Sequence, residues 1–419
     1  MEEQWNNVEL TTLRKKSYTL NHKYDLVNKC VVENSNSEES TDNKGDANNT
    51  NQSDVLKPGS NIKPKVTTEN VESLARRLYG ITINNMKELI SYDDRNYLIQ
   101  PDWNIKNPII TTQWPHGYIL KILNALDSKK LDFVDAQNQM MMYLSKEGIV
   151  CPRPIANVND KYFSVEHING SDHVVRLLEF VPGKMFHEVE SSHYLLYKSG
   201  EYIAKIDRAL KNFHHEVYDT HKTLWMLESV PQLREFLYAL QDYSRKALVE
   251  EIIDAFEKNV LSKIDKLEKQ IIHGDYNEQN IIVEQSPTSA CGEYKVKGII
   301  DFGDTNKSPL IFEIGIALTY MILQAKSLES GGYFLAGYND IRPISVEERA
   351  LLKYCVAARL AQSLVMGAYT HSLDPSNEYV LVTQECGWKT IEELWRNSFA
   401  DVDELWQTTA DKYLTQSVK

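Results

Sequence analysis

The chain has 419 residues, 42% hydrophobic and 25% charged, with a formal net charge of −13 at pH 7. That length and mix describe a globular protein of two or three packed units. The acidic balance excludes the broad basic face of a nucleic-acid binder, yet leaves room for local phosphate sites and for cationic small partners drawn by the overall field.

The five cysteines (Cys30, Cys151, Cys291, Cys355 and Cys386) are odd in number and form no CxxC pair. This argues against a zinc cluster or a disulfide framework and for free thiols in a reducing compartment. The start, Met1-Glu2-Glu3-Gln4, lacks the basic and apolar parts of a secretory signal, and the purest apolar stretch, residues 311–323, is too short to span a bilayer. A cytoplasmic protein is expected, with no membrane and no nucleic-acid partner; oligomeric state stays open.

Residues 1–70 read as a largely disordered extension, because residues 33–70 are dominated by Asn, Ser, Asp, Thr and Lys and have little to bury. Folded structure is expected from about Thr68. A helix follows, with Leu74, Leu78 and Tyr79 near one face and Gly80 as its stop. Strands are predicted at 88–92, 96–100 and 118–123, a helix at 133–148, a break at 151–155, and two more strands split by the turn Asn169-Gly170-Ser171-Asp172. Residues 71–181 therefore form a small α+β lobe of about five strands. After Pro182-Gly183 the texture turns helical, at 190–216, 231–269, 309–327, 345–372 and 388–417, so residues 182–419 form a second, mostly helical lobe.

Inside that helical region lies an apolar pair of runs, "IIVE" (281–284) and "YKVKGIID" (294–301), joined by turn residues. Read as an antiparallel hairpin, it sets Asn280 beside Asp301, with Asp275 of "HGDYNEQN" one loop away at the same end. Carboxylate and amide oxygens suit Mg²⁺, which keeps waters and takes one or two protein ligands. In the first lobe, Lys121 is the one charge in the strand "YILKIL" and calls for an anion. Taken singly, Lys121 reads as a snorkelling edge lysine and Asp275 as a turn former. Together they are the parts of phosphoryl transfer: Lys121 on phosphates, Asn280 and Asp301 on Mg²⁺, and Asp275 as the base that orients and deprotonates a hydroxyl. His273 is read as shaping the loop that holds Asp275.

At these residues the chain resembles the aminoglycoside phosphotransferase and choline kinase superfamily, through "HGDYNEQN" and "IIDFGD". The resemblance runs collinearly over residues of about 72 to 415. It implies a protein-kinase-like bilobal α+β fold, with a β-rich N-lobe and a larger helical C-lobe. It implies a nucleotide donor, GTP or ATP, whose base meets backbone from Glu179 to Val181 in "RLLEFVPG". Two features depart from the pattern. "SYDDRN" replaces a Gly-rich phosphate loop, leaving Ser91, Asn96 and nearby backbone for that work. The helix glutamate that pairs with the phosphate-binding lysine is missing, and Gln137 or Asp135 is expected to stand in.

The resemblance extends to one branch of that superfamily through "SYDDRNYLI", "AQNQMMMYL", "FEIGIALTYM" and "QSLVMGAY", and this closer resemblance implies a small amino-acid acceptor with two ammoniums, one carboxylate and one hydroxyl. Asp304 and Glu313 are the candidates for the ammoniums and Arg359 for the carboxylate. Another amino alcohol as acceptor, or a non-catalytic kinase-like shell, are the rival readings.

Overall fold

The computed structural model describes residues 62–91, 93–286, 292–373, 375 and 383–417. The expectation of disorder for residues 1–61, and Cys30, Tyr92 and Cys291, lie outside the described residues. Ordered structure begins before Thr68. The Ile62 carbonyl accepts the Ala125 N–H (3.0 Å), Lys63 Nζ donates to the Ser91 carbonyl (2.9 Å), and the Pro64 carbonyl accepts from Arg95 Nε (3.2 Å).

Helix α1 (Thr68–Tyr79) starts at a reciprocal cap: Thr67 Oγ1 accepts the Asn70 N–H and Asn70 Oδ1 accepts the Thr67 N–H. Its buried stripe of Val71, Leu74, Ala75, Leu78 and Tyr79 covers one face of an antiparallel sheet. That sheet is built from β1 (Ile83–Leu89), β2 (Arg95–Pro101), β3 (Tyr118–Ile122), β4 (Pro154–Ile155), β5 (Ser164–Ile168) and β6 (Ser171–Glu179), with α2 (Leu131–Lys146) between β3 and β4. The strand order is β1-β2-β3-β6-β4, with β5 also on β6.

The strand expected at 88–92 is in fact the end of β1. Ile90 is left in solvent, and the Ser91 hydroxyl closes a turn by donating to the Asp94 carbonyl (2.5 Å). The break at 151–155 carries the two-residue strand β4.

Register decides which side chains reach the cleft. Tyr97, Leu120 and Leu177 are partners across β2, β3 and β6 and pack under α1. The neighbouring row, Asn96, Lys121 and Arg176, therefore points to the opposite face.

The second lobe runs through β7 (Lys184–Met185), α3 (His193–Leu210), α4 (Tyr243–Asn259), β8 (Lys269–Ile272), β9 (Ile281–Gln285), β10 (Tyr294–Ile299) and β11 (Asn306–Pro309). It ends with α5 (Leu310–Ala325), α6 (Ser330–Ile341), a single turn at Val346–Arg349, α7 (Leu352–Leu373), α8 (Gln384–Arg396) and α9 (Phe399–Ser417). The long helix expected at 231–269 is broken into three. Leu227–Ala239 is a 3₁₀ stretch containing Pro231, which has no N–H to give. Asp242 Oδ1 then accepts the Ser244 and Arg245 N–H groups and restarts the chain as α4, and a second 3₁₀ stretch, Leu261–Lys266, follows.

Helix α6 has no counterpart in the sequence pattern, because its Gly331, Gly332 and Gly337 dilute the helical signal. They are there for contact. A Cβ on Gly337 would collide with the Tyr197 carbonyl oxygen of α3, and one on Gly200 of α3 would collide with the Phe334 carbonyl oxygen of α6. The two backbones touch directly, as only glycine permits. Among the described residues, no helix is long and apolar enough to cross a membrane.

Gly337→Ala should lower stability by roughly 1–3 kcal/mol through overpacking. The midpoint of urea unfolding, followed by far-UV circular dichroism, measures this; an unchanged midpoint would contradict the close α3–α6 contact.

Candidate active site

The hairpin is formed as its residues require. β9 and β10 pair antiparallel, Ile281 opposite Ile299, and the Ile300 N–H donates to the Asn280 carbonyl (2.9 Å). Asn280 and Asp301 thus lie side by side at one end. Strand β8 pairs with β11 and delivers His273-Gly274-Asp275 to the same mouth.

Three donors fix the Asp275 carboxylate. Arg359 Nη2 donates to Oδ1 (2.8 Å); Asn277 Nδ2 and Asn280 Nδ2 each donate to Oδ2 (2.8 Å). Around it the loop is tied at every step. The Glu313 carboxylate accepts the N–H groups of His273 (2.5 Å) and Gly274 (3.1 Å). Gly274 adopts φ +80, where a side chain would also press on the Asp304 carbonyl. His273 is fully buried, and burial pushes its pKa below the ordinary value, so the ring is neutral. Its Nδ1 accepts the Asp275 N–H (3.3 Å) and its Nε2 donates to the Ile300 carbonyl (3.2 Å). The expectation for His273 as a loop-shaping residue matches this geometry.

Two acceptor-binding expectations are corrected here. Glu313 is sealed from solvent and committed to backbone N–H groups, so it holds the loop and does not reach an ammonium. Arg359, also buried, spends four of its five N–H groups inside the protein. Its Nε donates to Tyr320 Oη, Nη1 to the Trp225 carbonyl and Gln362 Oε1, and Nη2 to Asp275, so its charge is committed to the catalytic loop rather than to a substrate carboxylate.

Across the cleft, Lys121 is 9% exposed and lies between two carboxylates, Asp94 Oδ2 at 3.0 Å and Asp301 Oδ1 at 3.7 Å. Burial opposes its charge, but Asp301 and Asp94 outweigh that and hold its pKa above the ordinary value. The partner is therefore neither Gln137 nor Asp135. Gln137 Oε1 is buried with no partner, and the Asp135 carboxylate accepts from Gln139 Nε2. Asp94 takes the place of the missing glutamate, braced by Asn124 N–H and Nδ2 on its Oδ1 (2.8 and 3.2 Å). It was present in the quoted loop "SYDDRN", but only the β2–β3 pairing shows that the loop overlies Lys121.

Asp301 adopts φ +62, a left-handed conformation that costs a non-glycine residue about 1–2 kcal/mol. Its half-exposed carboxylate bonds only the Gly303 N–H (3.2 Å) besides Lys121 among the described residues, and Lys121 keeps its pKa below the usual range against the effect of burial. One carboxylate oxygen of Asp301 and Oδ1 of Asn280, whose Nδ2 is committed to Asp275, make a pair of hard oxygen donors. That pair fits Mg²⁺ completed by water and phosphate oxygens. No group of three or more His, Cys, Asp or Glu side chains is placed to hold a metal among the described residues.

Two part-buried carboxylates at the mouth, Asp304 and Glu278, make no close ion pair among the described residues, although the charge of Arg359 acts on Asp304. Burial, and then Asp275, push Asp304 up to about 8. Burial pushes Glu278 up to about 7, and its Oε2 is buried without a hydrogen bond. The sequence reading included Asp304 but missed Glu278, which is hidden in the loop motif. At the junction of the lobes, Arg153 grips Glu179 with two bonds (2.6 and 2.5 Å), and Trp114 Nε1 donates to the Phe180 carbonyl (2.8 Å). The Glu179 side chain is thereby occupied, and the Glu179 and Phe180 N–H groups donate to the Arg153 and Gly117 carbonyls (2.9 and 3.1 Å).

A small sheet lobe, a helical lobe and this cluster of lysine, loop aspartate, asparagine and hairpin aspartate define a kinase-type phosphotransferase. The chain belongs to the phosphotransferase enzyme family, whose pattern matches residues 92–349. It is 33% identical over 362 residues to hydroxylysine kinase of Mus musculus, covering 84% of this chain and 95% of that one, and 33% identical over 369 residues to hydroxylysine kinase of Xenopus laevis, covering 84% and 96%. Among solved structures it is similar in fold to the amicoumacin kinase hAmiN in complex with AMP-PNP, Ca²⁺ and Ami, with a TM-score of 0.57 at 17% identity, covering 78% of this chain and 97% of that chain.

Asp304 titrates far above an unfolded aspartate, so its ionisation in the folded state weakens folding progressively as pH rises towards about 8. Asp304→Asn should therefore stabilise the metal-free protein increasingly from pH 5 to pH 8 and by a constant amount above that. Thermal melts in EDTA across this range measure it; a gain that does not change with pH would contradict the part-buried carboxyl lacking a close ion pair.

Proposed function

We propose that the chain transfers the γ-phosphoryl group of GTP or ATP, with Mg²⁺, to the 5-hydroxyl of 5-hydroxy-L-lysine. The observation that carries this reading is the Asp275 carboxylate, immobilised by three donors beside the oxygen pair of Asn280 and Asp301 and facing the Lys121 strand across the cleft. The names of the 33% identical relatives support the acceptor.

Asp275 accepts the proton of the acceptor hydroxyl as its oxygen forms a bond to the γ-phosphorus and the bond from phosphorus to the bridging oxygen breaks. A nucleoside diphosphate leaves. Lys121 turns its ammonium from the carboxylates to the phosphates, and Asn280 and Asp301 would hold Mg²⁺. Mg²⁺, when bound, neutralises charge on the phosphate oxygens. Asp304 and Glu278 take the ammoniums of the acceptor, which supply the close cation partners these part-buried carboxylates lack. The backbone at Glu179 to Val181 receives the base, with Ser91 and Asn96 at the phosphate end. The described cysteines, Cys151, Cys355 and Cys386, are free thiols, in keeping with a cytoplasmic setting.

The test is phosphate transfer by the purified protein to 5-hydroxy-L-lysine, with lysine as the control lacking the hydroxyl and GTP and ATP side by side. Transfer to hydroxylysine alone is expected, and Asp275→Ala should lower turnover by about 10²–10⁴-fold. Transfer to homoserine or ethanolamine in its place would move the acceptor, and an Asp275→Ala variant with wild-type turnover would remove the base.

A further inference from the structure

The row Asn96–Lys121–Arg176 lies on the cleft face of the sheet, one residue from each of three adjacent strands in register. Lys121 has its carboxylates. Arg176 has none within ion-pair distance among the described residues, although it is 2% exposed. Its only hydrogen bond is from Nη1 to Asn138 Oδ1 of α2 (3.2 Å), and its Nε is buried with no partner. Polar atoms of the same row and of α2 are unsatisfied as well: Asn96 Oδ1, Gln137 Oε1 and Asn138 Nδ2 are all buried without hydrogen bonds among the described residues. A buried guanidinium without an anion is costly, and an anion entering the cleft would relieve that cost. Burial pulls its pKa down, and the carboxylates whose charge most supports it are Asp94 and Asp301, the same two that flank Lys121.

We propose that Arg176 is a positioning residue for the triphosphate of the nucleotide donor, a second cation that shares Asp94 and Asp301 with Lys121 and so releases the Lys121 ammonium to the phosphates. The inference rests on the kinase reading above. With Lys121 alone, two carboxylates compete with the incoming phosphates for one ammonium. With Arg176 beside it, the four groups balance, and a polyanion entering the cleft meets a site whose carboxylates are already countered from behind. Asn96, Gln137 and Asn138 supply a polar lining that does not neutralise either cation.

The experiment is calorimetric binding to the full-length protein without divalent metal, using inorganic tripolyphosphate, GTP, ATP, guanosine and adenosine. Arg176→Met should weaken tripolyphosphate and triphosphate binding by about tenfold or more, with nucleoside affinity unchanged, since one charge-assisted contribution is lost. Arg176→Lys, which keeps the charge, should stay within about threefold of wild type. Asn138→Asp places a carboxylate against the guanidinium without truncating the core. It should weaken the triphosphates as Arg176→Met does, and it decides the matter if Arg176→Met does not fold. Equal triphosphate affinity in Asn138→Asp and wild type overturns the proposal, as does a nucleoside loss matching the triphosphate loss in both variants. Wild-type protein that binds no triphosphate, either without metal or with Mg²⁺ added back, removes the kinase reading along with this one, whereas wild-type binding with unchanged variants removes this one alone.

Discussion

The cleft depends on one buried ammonium shared by carboxylates from both lobes. Lys121 comes from the sheet, Asp94 from the turn above it, and Asp301 from the end of the hairpin in the helical lobe. Lys121 itself is buried while Asp301 is half-exposed, so an ammonium left there without its carboxylates would be strongly destabilising. The pairing therefore holds the two lobes in register at the point where chemistry occurs. It also sets the conformation of Asp301, whose left-handed backbone is tolerated because its carboxylate has Lys121 and the Gly303 N–H to meet.

The catalytic loop shows a complementary economy. Glu313, His273 and Arg359 are spent mainly inside the protein, and each decides where Asp275 points. Glu313 anchors the loop from α5, neutral His273 links the Asp275 N–H to the hairpin at Ile300, and Arg359 reaches from α7 to the carboxylate itself. A base within hydrogen-bond reach of a hydroxyl is useful only when its lone pair is aimed, and this aim comes from three separate elements converging on one loop.

Much of this was legible in the sequence, for identifiable reasons. The hairpin could be read because alternating apolar runs with a turn between them admit one pairing, which fixes Asn280 beside Asp301. The start of α1 and its end at Gly80 could be read because caps are local. The partner of Lys121 could not, because Asp94 meets it through strand register and through a brace from Asn124, distant in sequence. Likewise Arg359 and Glu313 looked like ligand groups, since a charge in an apolar helix signals a partner without saying whether that partner is protein or substrate. Helix α6 was hidden because the glycines that let it touch α3 also erase its pattern.

The extended residues 62–67 make a practical boundary of what otherwise resembles a linker. They bond to the Ala125 N–H, to the Ser91 carbonyl and to Arg95, so they buttress both ends of the turn that carries Asp94. A chain shortened to begin at the first helix would keep every residue of the catalytic cluster and still lose the brace that keeps that turn over the lysine. Trimming at the visible start of regular secondary structure would thus loosen the roof of the phosphate site while leaving its floor intact.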